Sequence, residues 1–400
     1  MTTHQSLLTP KAAPTNLRVP LLDKGFRPFF LLGAAFAATA VPLWLVALRG
    51  GLQPGGAFGA MQWHAHEMLF GFSAAIIAGF LLTAVSNWSG RETATGWPLA
   101  ALALLWASGR AAMFFADWLP RFVPALLDLA FLPALAIACA LPLLAARSYR
   151  NYGFIGLLLS LSAANAVAHW SASHGEVMTI RAAHQVALDV IVLMMVLMTG
   201  RVVPMFTRNT TKLDWVRSEP VLERCSTGAV LLLTISDIWP GGNFPSTVFA
   251  GVASVFLLAR MRFWGGLRCG REPLLWILHL GTLWLPIGLL LRVVSSIAPS
   301  IAMSSSLHSL TAGAIGSLTL GMMARVSLGH TGRMLKAPRG MSIAFLCLVA
   351  AGLVRVTAPF LPASEYFRAL VGAAIGWSCA FAIYLVAYWT ILLSPRVDAR

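Results

Sequence analysis

Stretches of about twenty mostly apolar residues recur along this 400-residue chain from Pro28 to Leu393, with only short polar breaks between them. A helix needs roughly 20 such residues to cross the hydrocarbon core of a bilayer. With 58% of its residues hydrophobic, 11% charged and a mean hydropathy of +0.77, the chain is too apolar for a soluble domain of this length. The pattern predicts an all-α polytopic membrane protein of about twelve transmembrane helices. The spans fall at about 28–49, 62–86, 97–116, 121–146, 152–172, 181–200, 220–239, 244–263, 273–296, 302–324, 340–359 and 365–393. No soluble domain fits in the gaps. Residues 1–27 read as a cytoplasmic N-terminal tail without a signal-peptide stretch, 28–393 as a single twelve-helix domain, and 394–400 as a cytoplasmic C-terminal tail.

The formal charge of +15 takes its meaning from position. With both termini cytoplasmic, the inner loops and tails hold 21 of the 29 Lys and Arg residues. Only Arg49, Arg121 and Arg181 fall at the opposite face. This is a positive-inside pattern, which sets orientation in the membrane and argues against a nucleic-acid partner. The five cysteines (Cys139, Cys225, Cys269, Cys347, Cys379) form no metal-binding spacing and read as small core residues.

An internal repeat emerges when the second, sixth and tenth spans are superposed on their histidines. With His66 on His308, Gly79 falls on Gly321; with His184 on His308, Met198, Arg201 and Thr207 fall on Met322, Arg325 and Thr331. The second span carries Thr83 where the others have arginine. Recurrence every four spans predicts three four-helix repeats running in the same direction around a pseudo-threefold axis.

Histidines and a carboxylate entering a membrane helix are costly unless something is bound or paired there. The segment Gln62-Trp63-His64-Ala65-His66-Glu67-Met68 is the richest in such groups. Residues two apart on a helix diverge by about 200°, so His64 and His66 cannot face one centre, and two sites are implied. A single interfacial histidine is commonly a snorkelling or backbone-bonded side chain. His66, His184 and His308 at similar depth, with His169 as a fourth candidate, favour convergence on a metal or ligation of adjacent cofactors, and imidazole suits heme iron, copper, non-heme iron and zinc alike. His174 is a further candidate, whereas His279 and His330 read as structural and His4 as tail. Glu67 would orient a ligand or donate a proton.

Arg110, Asp128, Asp189, Asp237, Arg292 and Arg355 map to the outer half or outer end of their helices and need partners. Mutual ion pairs would suffice; alternatively Arg110, Arg292 or Arg355 would pair with heme propionates. No acidic ladder leads in from the inner face. Met194, Met195 and Met198 read as packing rather than as soft copper ligands.

Three motifs carry a family resemblance: Gly25-Phe26-Arg27-Pro28-Phe29-Phe30, Trp63-His64-Ala65-His66-Glu67-Met68-Leu69-Phe70-Gly71-Phe72, and Gly329-His330-Thr331-Gly332-Arg333. Together with Gly200 to Thr207 they resemble the NnrS family over nearly the whole chain. The departure is Ser86-Asn87-Trp88, where Pro-Asn-Trp is the commoner family form.

The resemblance implies a bacterial heme- and copper-containing membrane protein of the nitric oxide response, protecting against nitrosative stress. The threefold arrangement also looks like the catalytic subunit of heme-copper oxidases and nitric oxide reductases, whose His-His and later His-x-His marks are absent here. The expectation is therefore a lipid-embedded protein that binds b-type heme and copper through His64, His66, His169, His184 and His308. It would handle nitric oxide or nitrosylated metal species, with a periplasmic or quinol electron donor if redox chemistry is involved. The alternative is a secondary transporter, which would place polar groups near the midplane.

Overall fold

The computed structural model describes residues 19–239, 243–298 and 300–397. His4, Lys11, Arg18 and Arg400, assigned to the tails, lie outside the described residues. The chain is 82% helical, and no strand occurs among the described residues.

Twelve helical segments succeed one another: α1 Phe26–Leu48, α2 Gly56–Ser89, α3 Gly96–Phe114, α4 Phe122–Ala145, α5 Gly153–Ser173, α6 Val177–Thr211, α7 Pro220–Ser236, α8 Asn243–Met261, α9 Pro273–Ile297, α10 at 303–330, α11 Met341–Thr357 and α12 Ala363–Leu393. Among the described residues ten are long and apolar enough to cross a membrane. The others are α7, with 17 residues, and the Ser-, Thr- and Gly-rich α10. Lipid offers no hydrogen bonds to backbone, so each apolar stretch satisfies its own amides as helix. Proline begins α7 and α9, where its missing N–H costs nothing, and Gly90 ends α2 at φ 65°.

Several helices outrun the apolar stretches that predicted them. The sixth span was expected at 181–200, yet α6 runs on to Thr211. Its extension is held by packing, since Val203, Pro204 and Thr207 are buried and Thr207 Oγ1 lies 2.9 Å from His279 Nε2. Hydropathy marks where lipid contact ends, not where the helix does.

Helix packing repeats with a period of four. α1 packs on α2, α5 on α6 and α9 on α10; α3 packs on α4, α7 on α8 and α11 on α12. The links between repeats match as well: α4 packs on α5, α8 on α9, and α12 returns to α1 and closes the ring.

The helices carrying the three aligned histidines line a cavity of about 100 Å³ on the axis. Its lining keeps one register. The residues 7, 10, 11 and 14 positions beyond the histidine are Ser73, Ile76, Ile77 and Phe80 on α2; Ile191, Met194, Met195 and Met198 on α6; and Ile315, Leu318, Thr319 and Met322 on α10. Phe30, Phe154 and Leu278, spaced 124 residues apart, join from α1, α5 and α9. Further along, the guanidinium of Arg201 lies over Trp88 at 5.9 Å and that of Arg325 over Phe206 at 4.0 Å. Each pair joins the position 17 residues beyond one histidine to the position 22 residues beyond the preceding one. A chance identity would not reproduce both the lining and the stacking, so the pseudo-threefold arrangement is a property of the fold.

The repeat also fixes a local irregularity. Glu67–Ser73 in α2 and Ser309–Ile315 in α10 are π-helical, each beginning at the residue after the aligned histidine. A π segment inserts a residue into the helical ladder and is found mostly at functional sites. α6 carries no such segment.

Candidate metal centre

Histidines and charged side chains within the spans gather at the end reached by the C-termini of α1, α3 and α5. There they form three clusters, each where two repeats meet.

The first cluster joins α2, α3, α4, α5 and α6. His66 is fully buried and has oxygen atoms beside both ring nitrogens. Glu67 Oε1 lies 3.3 Å from Nδ1, while Asn165 Oδ1 at 2.9 Å and Asp128 Oδ2 at 3.2 Å face Nε2. His169 Nε2 reaches the same Asp128 oxygen at 2.9 Å, and Asn165 Nδ2 donates to it at 2.7 Å. Arg110 bridges the two carboxylates, donating to Glu67 Oε2 at 2.8 Å and pairing with Asp128 through Nη2. His184 completes the group, its ring centroid 6.1 Å from that of His66. It is buried, and neither of its ring nitrogens has a hydrogen-bond partner.

Ligand atoms of His66, Asp128 and His169 lie within 4.8 Å of one another. Two imidazoles and a carboxylate make a donor set suited to copper, non-heme iron or zinc. The charge balance points the same way. Two buried carboxylates face one guanidinium, so with neutral imidazoles one negative charge remains, and a bound cation or an extra proton must offset it. A neutral imidazole also has only one N–H, yet His66 faces acceptors on both sides. Asn165 and Glu67 hold the ring of His66 in place in the manner of outer-shell partners.

Local sequence builds the enclosure. Gly55, Gly56 and Gly59 take positive φ values of 86°, 52° and 65°, which side chains other than glycine rarely adopt. The turn they form sets Phe58 over the histidines, its ring centroid 4.9 Å from His66, 5.2 Å from His169 and 6.4 Å from His184.

Within the π segment, Gly71 lets the Arg110–Glu67 pair approach the backbone. A Cβ there would lie 2.9 Å from Arg110 Nη1 and 3.0 Å from Glu67 Oε2. Gly71→Ala is expected to lower stability by about 1–3 kcal/mol through overpacking. Thermal unfolding in detergent checks this against Gly372→Ala, whose added Cβ meets nothing within 4 Å.

The second cluster joins α10 and α11 to α1 and α2. His308 Nδ1 donates to Ser304 O at 2.7 Å, leaving Nε2 as its free nitrogen. Arg355 is an electrostatic neighbour of His308, His64 and Tyr366. His64 stacks on Trp44 with centroids 4.2 Å apart. His64 Nδ1 and Arg355 Nη1 are buried without a partner.

The third cluster joins α6, α7 and α8 to α9 and holds no histidine. Arg292 Nη2 lies 2.6 Å from Asp237, Arg292 Nη1 is 3.8 Å from Asp189, and Gln185 donates to Asp189 at 3.0 Å.

The geometry thus redistributes the expected site residues. His66, His169 and His184 come together with Glu67 and Arg110, whereas His308 keeps company with His64 and Arg355. Of the two arrangements open to His66, His184 and His308, the geometry is that of neighbouring clusters and not of one shared centre. The separation of His64 from His66 follows from their spacing. Arg110 and Arg292 are engaged by the protein's own carboxylates. His174 lies on the exposed surface against Trp170, outside all three clusters.

A family model described as NnrS protein matches residues 20–396. The chain belongs to the NnrS family. None of the curated proteins matches it. NnrS membership makes it a membrane protein related to the nitric oxide response. The match spans all twelve helices, so the three clusters all lie inside the NnrS region.

Sequence reasoning left Asp128, Asn165 and Phe58 out of the site. Asp128 carried a signal as a carboxylate inside a span needing a partner, and Asn165 precedes His169 by one helical turn. Phe58 gave none, because its role depends on the glycine turn.

Proposed function

We propose that this protein binds copper at the His66–Asp128–His169 cluster, with His184 as a further ligand, and handles nitric oxide or nitrosylated metal species there. The observation that carries the reading is the bare, buried His184 beside two imidazoles and a carboxylate with an uncompensated negative charge. Such an arrangement is costly unless a cation sits in it.

The donors of the second cluster suit b-type heme. His308 offers Nε2 with its other nitrogen anchored to backbone, the usual orientation of a ligating imidazole. Arg355 has an idle donor for a propionate. Bound copper or heme iron would supply nitric oxide ligation and one-electron exchange. The protein's own groups do the rest: Arg110 offsets the carboxylates, Phe58 excludes water, and Glu67 sits where it can pass a proton to His66.

The positive-inside distribution orients the clusters toward the periplasmic side of a bacterial inner membrane, with both termini cytoplasmic. A neutral diatomic enters through lipid, so no polar channel is needed. Transport is the weaker reading, since the axial cavity is lined by apolar side chains where a permease would hold polar groups.

The test is nitric oxide addition to purified, copper-loaded protein, followed by electron paramagnetic resonance and optical absorption. The reading predicts that nitric oxide alters the copper signal in wild type, and that His66→Ala and His169→Ala abolish the response. A copper signal indifferent to nitric oxide overturns it.

A further inference from the structure

The axial cavity is used by none of the three clusters. Its wall is made of side chains from all three repeats, in matching register, so it is a consequence of the repeat itself and not a local packing fault. The hydroxyls on it are already spent. Ser73 donates to Met68 O at 2.7 Å, Thr199 to Met195 O at 2.8 Å and Thr319 to Ile315 O at 2.6 Å. A water molecule needs two to four polar partners to enter a cavity, and these walls offer almost none. Dry apolar cavities of similar size take up xenon or benzene. Four methionines, Met194, Met195, Met198 and Met322, line it with polarizable sulfur, which favours dispersion contacts with an apolar guest.

We infer that this cavity is a binding site for a small uncharged apolar molecule of diatomic size. It begins seven residues below each aligned histidine, a helical distance of about 10 Å. That nitric oxide is the natural guest rests on the metal-centre reading; the apolar site itself does not. The cavity would concentrate a sparingly soluble gas inside the bundle, one helical segment away from both histidine clusters.

Xenon is the probe. Detergent-purified protein, titrated with xenon and followed by 129Xe nuclear magnetic resonance, is expected to show a saturable component above the linear partitioning of detergent alone. Leu318→Ala enlarges the cavity and is expected to increase that component. Ile191→Phe fills it and is expected to abolish the component, with copper content and circular dichroism unchanged.

Wild type showing only linear partitioning, or Ile191→Phe retaining the saturable component, overturns the inference. The two readings separate cleanly: xenon binding in a protein that takes up no copper sinks the metal centre and leaves the cavity standing. Saturable xenon binding that nitric oxide fails to displace removes nitric oxide as the guest.

Discussion

Asp128→Ala is expected to destabilise the protein by about 3–5 kcal/mol, the usual consequence of stripping one partner from a buried charge pair. Asp128 is 2% exposed and accepts from Arg110, His169 and Asn165 while lying 3.2 Å from His66. Without it Arg110 keeps only Glu67, and the amide of Asn165 and the imidazole of His169 lose their acceptor. The same change removes the one carboxylate in the donor set. Thermal unfolding in detergent should therefore show a large loss of stability, and metal analysis should show loss of the copper proposed to bind there. Asp214→Ala, at an exposed position, should fall within about half a kcal/mol of wild type.

A comparable loss is expected far from the metal centre, from Glu223→Ala. Arg260 is fully buried, donating to Glu223 Oε2 at 2.8 Å, Val196 O at 3.0 Å and Thr199 Oγ1 at 2.9 Å, with Trp264 beneath it. Glu223 is its carboxylate partner, and its removal leaves a guanidinium charge inside the bundle, at a cost of about 3–5 kcal/mol. Copper content should be unchanged. The paired replacement Arg260→Met with Glu223→Leu removes both charges and should recover most of the loss. If the double variant unfolds as early as Glu223→Ala, the pair is not the cause. Gly200 belongs to the same arrangement, since a Cβ there would collide with the Glu223 carboxylate.

The architecture was legible because membrane insertion writes itself into composition: apolar length gives the helices, and the recurrence of His66, His184 and His308 gives the threefold repeat. The closure of α12 on α1 was implied only through that axis, as no residue pattern by itself names which helix is a neighbour.

The site was half legible. A histidine or carboxylate inside a span stands out by its cost, which is why His64, His66, His169, His184, His308, Glu67 and Arg110 could be singled out. Their partition into two clusters turned on direction around each helix. That was readable for His64 and His66, two residues apart on one helix. It was not readable for His308, whose facing depends on how α10 turns toward α2. The π segments after His66 and His308 were also not read, although each holds a glycine five residues beyond its histidine, Gly71 and Gly313, where α6 has Asp189. Phe58 reaches the centre only through the glycine turn at 55–59, whose shape is set by backbone freedom and leaves no apolar or charged mark.

The measurement that bears most directly on the central claim is the copper stoichiometry and electron paramagnetic resonance spectrum of protein purified from copper-replete cells. It should be made for wild type, His66→Ala, His169→Ala and the His64→Ala control. The proposed copper site predicts one copper with nitrogen couplings in wild type and in His64→Ala, and loss of both metal and couplings in His66→Ala and His169→Ala. Copper bound at full stoichiometry with unchanged couplings in His66→Ala and His169→Ala would place the metal elsewhere and contradict the account.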